Sequence, residues 1–243
     1  MEVFHYSKME FLPKEPSIPV LIRSFTVEDI EEVLSLLSKN MTQRQCFWVG
    51  MNFNSDLVCD FYKESIDLYL SEGFSLVAVI NQKIIGFISA FDYNNSQFSE
   101  PYKKTYKNAT PNQLKKAEAH SRVYEGLTDF KVPDERGVAI TVRNLVVESQ
   151  FEGKGLGSLL LNFVNYHPKC LQYSKVLIEC VSKSTEIIGV RLGFQILKSI
   201  KWVEMTTKDG EPAWKDLPEN LEKKAGKEVS LFNDTFSLGV LKR

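Results

Sequence analysis

The 243 residues, 43% hydrophobic and 25% charged, hold enough apolar material for one large globular domain. Thirty basic against 31 acidic residues leave a net charge of −1, which gives no electrostatic case for binding nucleic acid or an anionic membrane. Four cysteines without a C-x-x-C pair and only three histidines argue against a disulfide framework and a metal site.

Charges interrupt the N-terminal MEVFHYSKMEF, so no signal peptide is expected, and no later run is long and apolar enough to span a bilayer. A reducing, cytoplasmic setting is the expectation. Residues 1–17, with Pro13, Pro16 and Pro19 close together, read as a flexible leader, and 18–243 as a single domain. Ile18 to Phe25 reads as a strand. Thr26, with Asp29 three residues later, forms a capping-box-like start, and Ile30, Val33, Leu34 and Leu37 make one apolar face, predicting a helix to about Ser38. Phe53, Leu57 and Phe61, with Val58, Tyr62, Ile66 and Tyr69, recur at helical spacing and predict a second helix. Phe74 to Ile80 and Ile84 to Phe91 are apolar runs joined by Asn81-Gln82-Lys83, a β-hairpin pattern. Asp92 to Asn108 is polar and without periodicity. Thr110-Pro111-Asn112-Gln113 then opens another helix, expected to run to about Asp129.

Val138 to Val147 is a short β-branched run that reads as a buried strand. A polar turn, Glu148 to Glu152, leads into Gly153-Lys154-Gly155-Leu156-Gly157, and the next residues recur at helical spacing until Pro168. Strand, glycine loop and helix in that order make an anion site. Glycine lets backbone approach a ligand, and the first-turn N–H groups of the helix have no partner within it. A phosphate or pyrophosphate is the natural occupant. The P-loop pattern fails, because Lys154 follows the first glycine and no hydroxyl follows it. A dinucleotide fingerprint is a rival: Gly153 and Gly155 give G-x-G and Glu179 lies where a ribose-binding acid would sit, but Ser158 occupies the third glycine position.

Gln150 to Gly155 also reads Q-x-x-G-x-G, Lys175 to Val181 reads as the next strand, Ser184 to Leu192 as a short helix, and Leu192-Gly193-Phe194 follows it. In that register the stretch 138–194 resembles the acyl-CoA-binding core of the GNAT superfamily of N-acetyltransferases. The resemblance implies an α/β fold: a mixed, mostly antiparallel sheet of about seven strands flanked by helices, with a helical insertion between strands three and four. That insertion, and the Asp209-Gly210 turn before a C-terminal strand, resemble the invertebrate arylalkylamine N-acetyltransferases. Gln195 to Met205 and Leu231 to Lys242 are the expected last strands, with a polar, lysine-rich stretch from Glu211 to Val229 between them.

What the resemblance implies is transfer of an acetyl group from acetyl-CoA to a primary amine, with no metal. Leu145, Val146 and Val147 would line the pantetheine and acetyl group, and Gln150, Gly153, Lys154, Gly155, Leu156, Gly157 and Ser158 the pyrophosphate. Ser182, Ser184 and Thr185 match the hydroxyls that serve the departing thiolate. Two family features are missing: the tyrosine position of the short helix falls near Gly189, and Gln45 stands where the arylalkylamine branch places a glutamate. A GNAT protein that binds acyl-CoA but catalyses weakly is therefore an alternative. Phe91, Tyr93, Tyr102, Tyr106, Tyr124 and Phe130 are candidates for an aromatic amine pocket, and the expected form is a monomer or homodimer.

Overall fold

The computed structural model describes residues 19–95, 106–107, 109–125, 132, 135–217 and 235–242. The leader, Tyr102, Phe130, the lysine-rich stretch beyond Leu217 and the start of the last expected strand lie outside these residues, as does the Tyr124 side chain.

Strand β1 (Leu21–Ser24) turns into the first helix through the predicted capping box. The Asp29 carboxylate accepts from the Thr26 backbone N–H at 2.9 Å and hydroxyl at 3.0 Å, while Arg23 donates to both its oxygens at 2.6 and 2.7 Å. Helix α1 (Ile30–Arg44) passes Ser38 because Met41 prolongs the buried face of Val33, Leu34 and Leu37. It stops at Gln45, whose backbone is extended and whose side chain caps α2 (Cys46–Met51), accepting from Trp48 N–H at 3.0 Å. Every residue of α2 is buried, and it closes on Asn52 in the left-handed region at φ 55°. Asn54 caps α3 (Ser55–Glu72) through Leu57 N–H at 2.8 Å, and Gly73 at φ 69° ends it.

Strands β2 (Leu76–Ile80) and β3 (Lys83–Asp92) form the expected hairpin. Between β3 and β4 (Ala139–Val147) comes the inserted helix α4 (Pro111–Glu125). Its start is a reciprocal cap, with Thr110 N–H donating to Gln113 Oε1 at 2.7 Å and Gln113 N–H donating to Thr110 Oγ1 at 3.3 Å. Helix α5 (Leu156–Tyr166), strand β5 (Lys175–Cys180), helix α6 (Lys183–Arg191), strand β6 (Gln195–Lys201) and strand β7 (Thr235–Lys242) complete the chain.

The seven strands form one sheet in the order β1-β2-β3-β4-β5-β7-β6. Every pairing is antiparallel except β4 with β5. A dinucleotide-binding unit needs consecutive parallel strands with helices on both crossovers, and this sheet has only the one parallel pair. Helices α1 to α4 cover one face, and α5 and α6 the other, so both faces carry a core.

Two expectations are corrected downstream. The strand from Gln195 ends at Lys201, and Trp202–Glu204 is a 3-10 turn that drives the Trp202 ring into the core. The stretch from Glu211 is not simply polar: Ala213, Trp214 and Leu217 are buried. Trp214 lies against Gly50 of α2, where an added Cβ would come within 2.5 Å of the indole. Lys116 of α4, buried, donates to Gly50 O at 2.7 Å and Asp216 at 2.7 Å, with its ammonium 5.8 Å from the Trp214 ring centre. The insertion is thus strapped to α2 and to the segment around Trp214.

Candidate active site

The site begins where two parallel strands part. β4 and β5 pair only from Ala139↔Lys175 to Val142↔Ile178. Beyond Val142, β4 stays on β3 and β5 stays on β7. The cause sits in β4: the register with β3 shifts between Ser89 and Ala90, leaving Arg143 as an extra residue in a bulge. Buried hydrogen bonds hold that bulge. Asn144 Nδ2 donates to Ser89 Oγ at 2.8 Å and to Tyr69 Oη at 3.1 Å, and its Oδ1 accepts from Tyr62 Oη at 3.0 Å.

The parting exposes one edge of β4. Glu148 N–H donates to Ile85 O at 2.8 Å, so by antiparallel alternation the main-chain groups of Val146 face β3 and those of Leu145 and Val147 face the opening. The Val146 side chain is buried in the core under α1 to α3, whereas Leu145 and Val147 pack toward α5 and α6.

Because the two strands run parallel, their C-terminal ends, and the N-termini of the helices that follow them, lie at the same end of the sheet. One wall of the mouth is therefore the glycine loop and the start of α5. Gly153 and Gly155 both adopt left-handed backbone, at φ 72° and 87°, which a Cβ disfavours. Gly155 is the N-cap of α5, and no side chain caps the helix. The first intrahelical bond over the loop is Leu159 N–H to Gly155 O at 3.0 Å, so the N–H groups of Leu156, Gly157 and Ser158 precede it. Gly157 serves close packing instead: its Cβ would lie 3.1 Å from Ile188 of α6.

Two acids flank the loop, and each has a cation against it. Lys83 reaches Glu148 at 2.8 and 2.9 Å and holds its carboxyl below the usual range, and Arg44, the last residue of α1, pairs with Glu152. Gln150 donates to Glu148 at 3.1 Å. Lys154 is exposed, with its ammonium 5.2 Å from the Phe151 ring centre.

The other wall is the start of α6. Ser182 is its N-cap, accepting from Thr185 N–H at 3.2 Å, and the two hydroxyls lie 2.8 Å apart. Ser184 is exposed and stands apart from that pair.

On the face covered by α1 to α4, an aromatic cluster gathers beside the parting strands. Phe47 of α2 lies 4.9 Å from His120 of α4 and 5.7 Å from Trp214; Trp202 stacks on His120 at 5.7 Å with planes 6° apart; Phe236 of β7 meets His120 at 4.9 Å. Burial, with a smaller contribution from the nearby Arg143 charge, pushes His120 down to about 3, so it is neutral at pH 7. Sequence reasoning did not find this cluster, because Phe47 comes from a six-residue helix, Trp202 from a turn and Trp214 from a segment of polar composition, and His120 and Phe236 lie far from them along the chain. The aromatic residues it named fare differently. Phe91 is fully buried on Tyr69, and Tyr93 is half exposed at the start-of-β4 end of the sheet, where its N–H donates to Ala139 O. Tyr106 packs at the edge of the core below α1 to α4. Gln45, where a catalytic carboxylate was expected, is occupied as the cap of α2.

Among the described residues no group of histidine, cysteine, aspartate or glutamate could hold a metal ion, and no helix is long and apolar enough to cross a membrane.

No family model matches the chain, and no curated protein sequence does. Solved structures do match. A point mutant of an agmatine N-acetyltransferase, in its apo form, aligns with a TM-score of 0.66 at 18% identity, over 93% of this chain and all (100%) of that one. Arylalkylamine N-acetyltransferase 2 from Aedes aegypti aligns at 0.67 and 14% identity, over 92% of this chain and 98% of that one. The C-terminal condensation domain of Ebony, in complex with β-alanyl-dopamine, aligns at 0.69 and 13% identity, over 93% and 99%. These likenesses show the fold: the GNAT fold, a mixed seven-stranded sheet flanked by helices.

Proposed function

We propose that the chain is an acetyl-CoA-dependent N-acetyltransferase acting on a small primary amine of the arylalkylamine or a related kind. One observation carries this reading: β4 and β5 part beyond Val142 and Ile178, and a glycine-turned helix N-terminus stands at the mouth of the opening. A pantetheine arm is an extended chain with alternating amides and suits the unpaired edge of β4, by the logic of strand addition. The Leu145 and Val147 backbone groups would engage it, with Val146 packing behind. Gln150 and the run Gly153, Lys154, Gly155, Leu156, Gly157 and Ser158 would hold the pyrophosphate. The likeness to an agmatine and an arylalkylamine N-acetyltransferase supports an amine acceptor.

The reaction needs few groups. The free amine attacks the thioester carbonyl carbon, the N–C bond forms, the nitrogen sheds a proton, the C–S bond breaks, and the thiolate takes a proton. The carbonyl oxygen gains charge on the way, and a backbone N–H on the open edge of β4, such as that of Val147, would serve as its donor. The Ser182–Thr185 hydroxyl pair stands at the opposite wall, where the sulfur would leave; Ser184 is the third hydroxyl there. Ser182 also caps α6, so its loss would cost about 1 kcal/mol of helix stability and blur the readout. Thr185→Val is cleaner: kcat is expected to fall about tenfold or more, with the acetyl-CoA Kd unchanged. Unchanged turnover would remove the pair from the mechanism.

Thermal unfolding with acetyl-CoA, CoA, NADH and NADPH tests the donor class. A ligand at about 100 times its Kd stabilises the folded chain by roughly 2.7 kcal/mol. Stabilisation by acetyl-CoA and CoA, and not by the dinucleotides, is the expected result. Stabilisation without turnover of any amine would favour the second reading, an acyl-CoA-binding protein that catalyses poorly, for which the capping role of Gln45 is the specific observation.

A further inference from the structure

We propose that Glu179, fixed by Arg143 at the vertex where β4 and β5 separate, is the acceptor anchor that first takes the ammonium group of the incoming amine, which then gives up one proton to solvent before it attacks. The inference rests on the acetyltransferase reading and adds to it the residue that selects a charged acceptor.

Position is the first argument. The last paired residues of the two strands are Val142 and Ile178, so Arg143 and Glu179 are the next residue of each. Their side chains form an ion pair across the strands where the backbones no longer meet. The open edge of β4 begins at this point, and an acyl group extended along that edge toward the vertex would end beside the pair.

Orientation is the second. Along β5, Val176, Ile178 and Cys180 face α5 and α6, so Glu179 projects to the side of α1 to α4. There it neighbours Leu238, its register partner on β7, and Val181 also packs against that core. Arg143 is close enough to His120 for its charge to bear on that imidazole. The carboxylate thus lies on the side of the sheet whose core holds Trp202, Phe236 and Phe47.

Energetics is the third. A mostly buried ion pair contributes little stability over well-packed apolar residues, since desolvation offsets its attraction. The side chains are 13% and 11% exposed, buried enough to strengthen a charged contact yet open to a ligand. Arg143 Nη1 engages Glu179 Oε1, and a carboxylate has a second oxygen and further lone pairs for an ammonium.

The test uses the full chain, acetyl-CoA and tyramine as probe amine. Glu179→Gln is expected to raise the tyramine KM about tenfold or more, the scale of a lost hydrogen bond to a charged group. Its kcat should stay within about threefold and its acetyl-CoA Kd within about twofold. A merely structural pair would give a different pattern, which the exchanged double variant, Arg143→Glu with Glu179→Arg, resolves. The exchange restores an ion pair and is expected to recover Tm, but it moves the carboxylate to β4 and should leave the tyramine KM high. An unchanged KM in Glu179→Gln, or recovery of both Tm and KM in the exchange, overturns the proposal and leaves the acetyltransferase reading intact. Absence of acetyl-CoA stabilisation and of amine turnover in the wild-type chain overturns both.

Discussion

Replacing Gly155 by glutamate is expected to abolish acetyl-CoA binding while the chain still folds. Gly155 is the N-cap of α5 at φ 87°, and the N–H groups of Leu156, Gly157 and Ser158 follow it without a capping side chain. A residue with a Cβ pays roughly 1–2 kcal/mol to hold that left-handed conformation, a loss that most folded domains survive. The carboxylate does the larger damage. It is a self-supplied anion at the helix N-terminus, where it competes for the same N–H groups and repels a pyrophosphate. A loss of at least about a hundredfold in affinity is the expected scale, some 2.8 kcal/mol. In thermal unfolding the wild-type shift with acetyl-CoA should vanish in Gly155→Glu. Gly155→Ala, which carries the strain without the charge, should keep part of it. A full shift in Gly155→Glu would mean that the glycine loop is not the anion site.

The features that led to this loop are local, and local features were legible. The Q-x-x-G-x-G run, the β-branched strand before it and the apolar helix after it are consecutive, and the two left-handed glycines fall where a tight strand-to-helix turn needs them. The caps of α1 and α4 were legible for the same reason, since Thr26 with Asp29 and Thr110 with Gln113 are pairs three residues apart. Helix α2 was not, because six residues cannot display a helical period and Gln45, the last of the polar run Thr42-Gln43-Arg44-Gln45, gives no sign of capping.

The opening itself was the least legible part. It depends on a one-residue bulge in β4, held by Tyr62 and Tyr69 of α3 and Ser89 of β3, residues 55 to 82 positions from Asn144. No window of sequence around Arg143 announces that β5 will leave it. Glu179 shows the same limit. Read from spacing, it was a candidate ribose contact; placed in the sheet, it faces Arg143 across the parted strands. The aromatic cluster assembles Phe47, His120, Trp202, Trp214 and Phe236 from five segments, and the eye is drawn instead to the tyrosines clustered after β3, of which the described Tyr93 lies at the other end of the strand.

Trp214→Ala is expected to be the most destabilising single change among the described residues outside the site. Its ring is fully buried, 4.9 Å from Trp202 and 5.7 Å from Phe47, with Lys116 above it and Gly50 beneath. Removing a buried tryptophan to alanine typically costs about 3–5 kcal/mol, because the surrounding structure closes only part of the cavity. For a chain of this size that lowers Tm by roughly ten degrees. Trp214→Phe should be far milder: it keeps most of the contact and removes an indole N–H that is buried with no hydrogen-bond partner among the described residues. Gly50→Ala approaches the same contact from the other side, pushing a methyl to within 2.5 Å of the ring, and overpacking of this kind costs about 1–3 kcal/mol. The two sites touch, so Gly50→Ala should cost less in the Trp214→Ala background than alone, a coupling that a double-mutant cycle reads directly. Equal costs in both backgrounds would mean that Trp214 is not what holds α2. The functional consequence is asymmetric. The glycine loop is built on the α5–α6 side of the sheet, so acetyl-CoA should bind Trp214→Ala almost normally at a temperature where it is folded. The aromatic cluster loses its support, and the amine KM should rise.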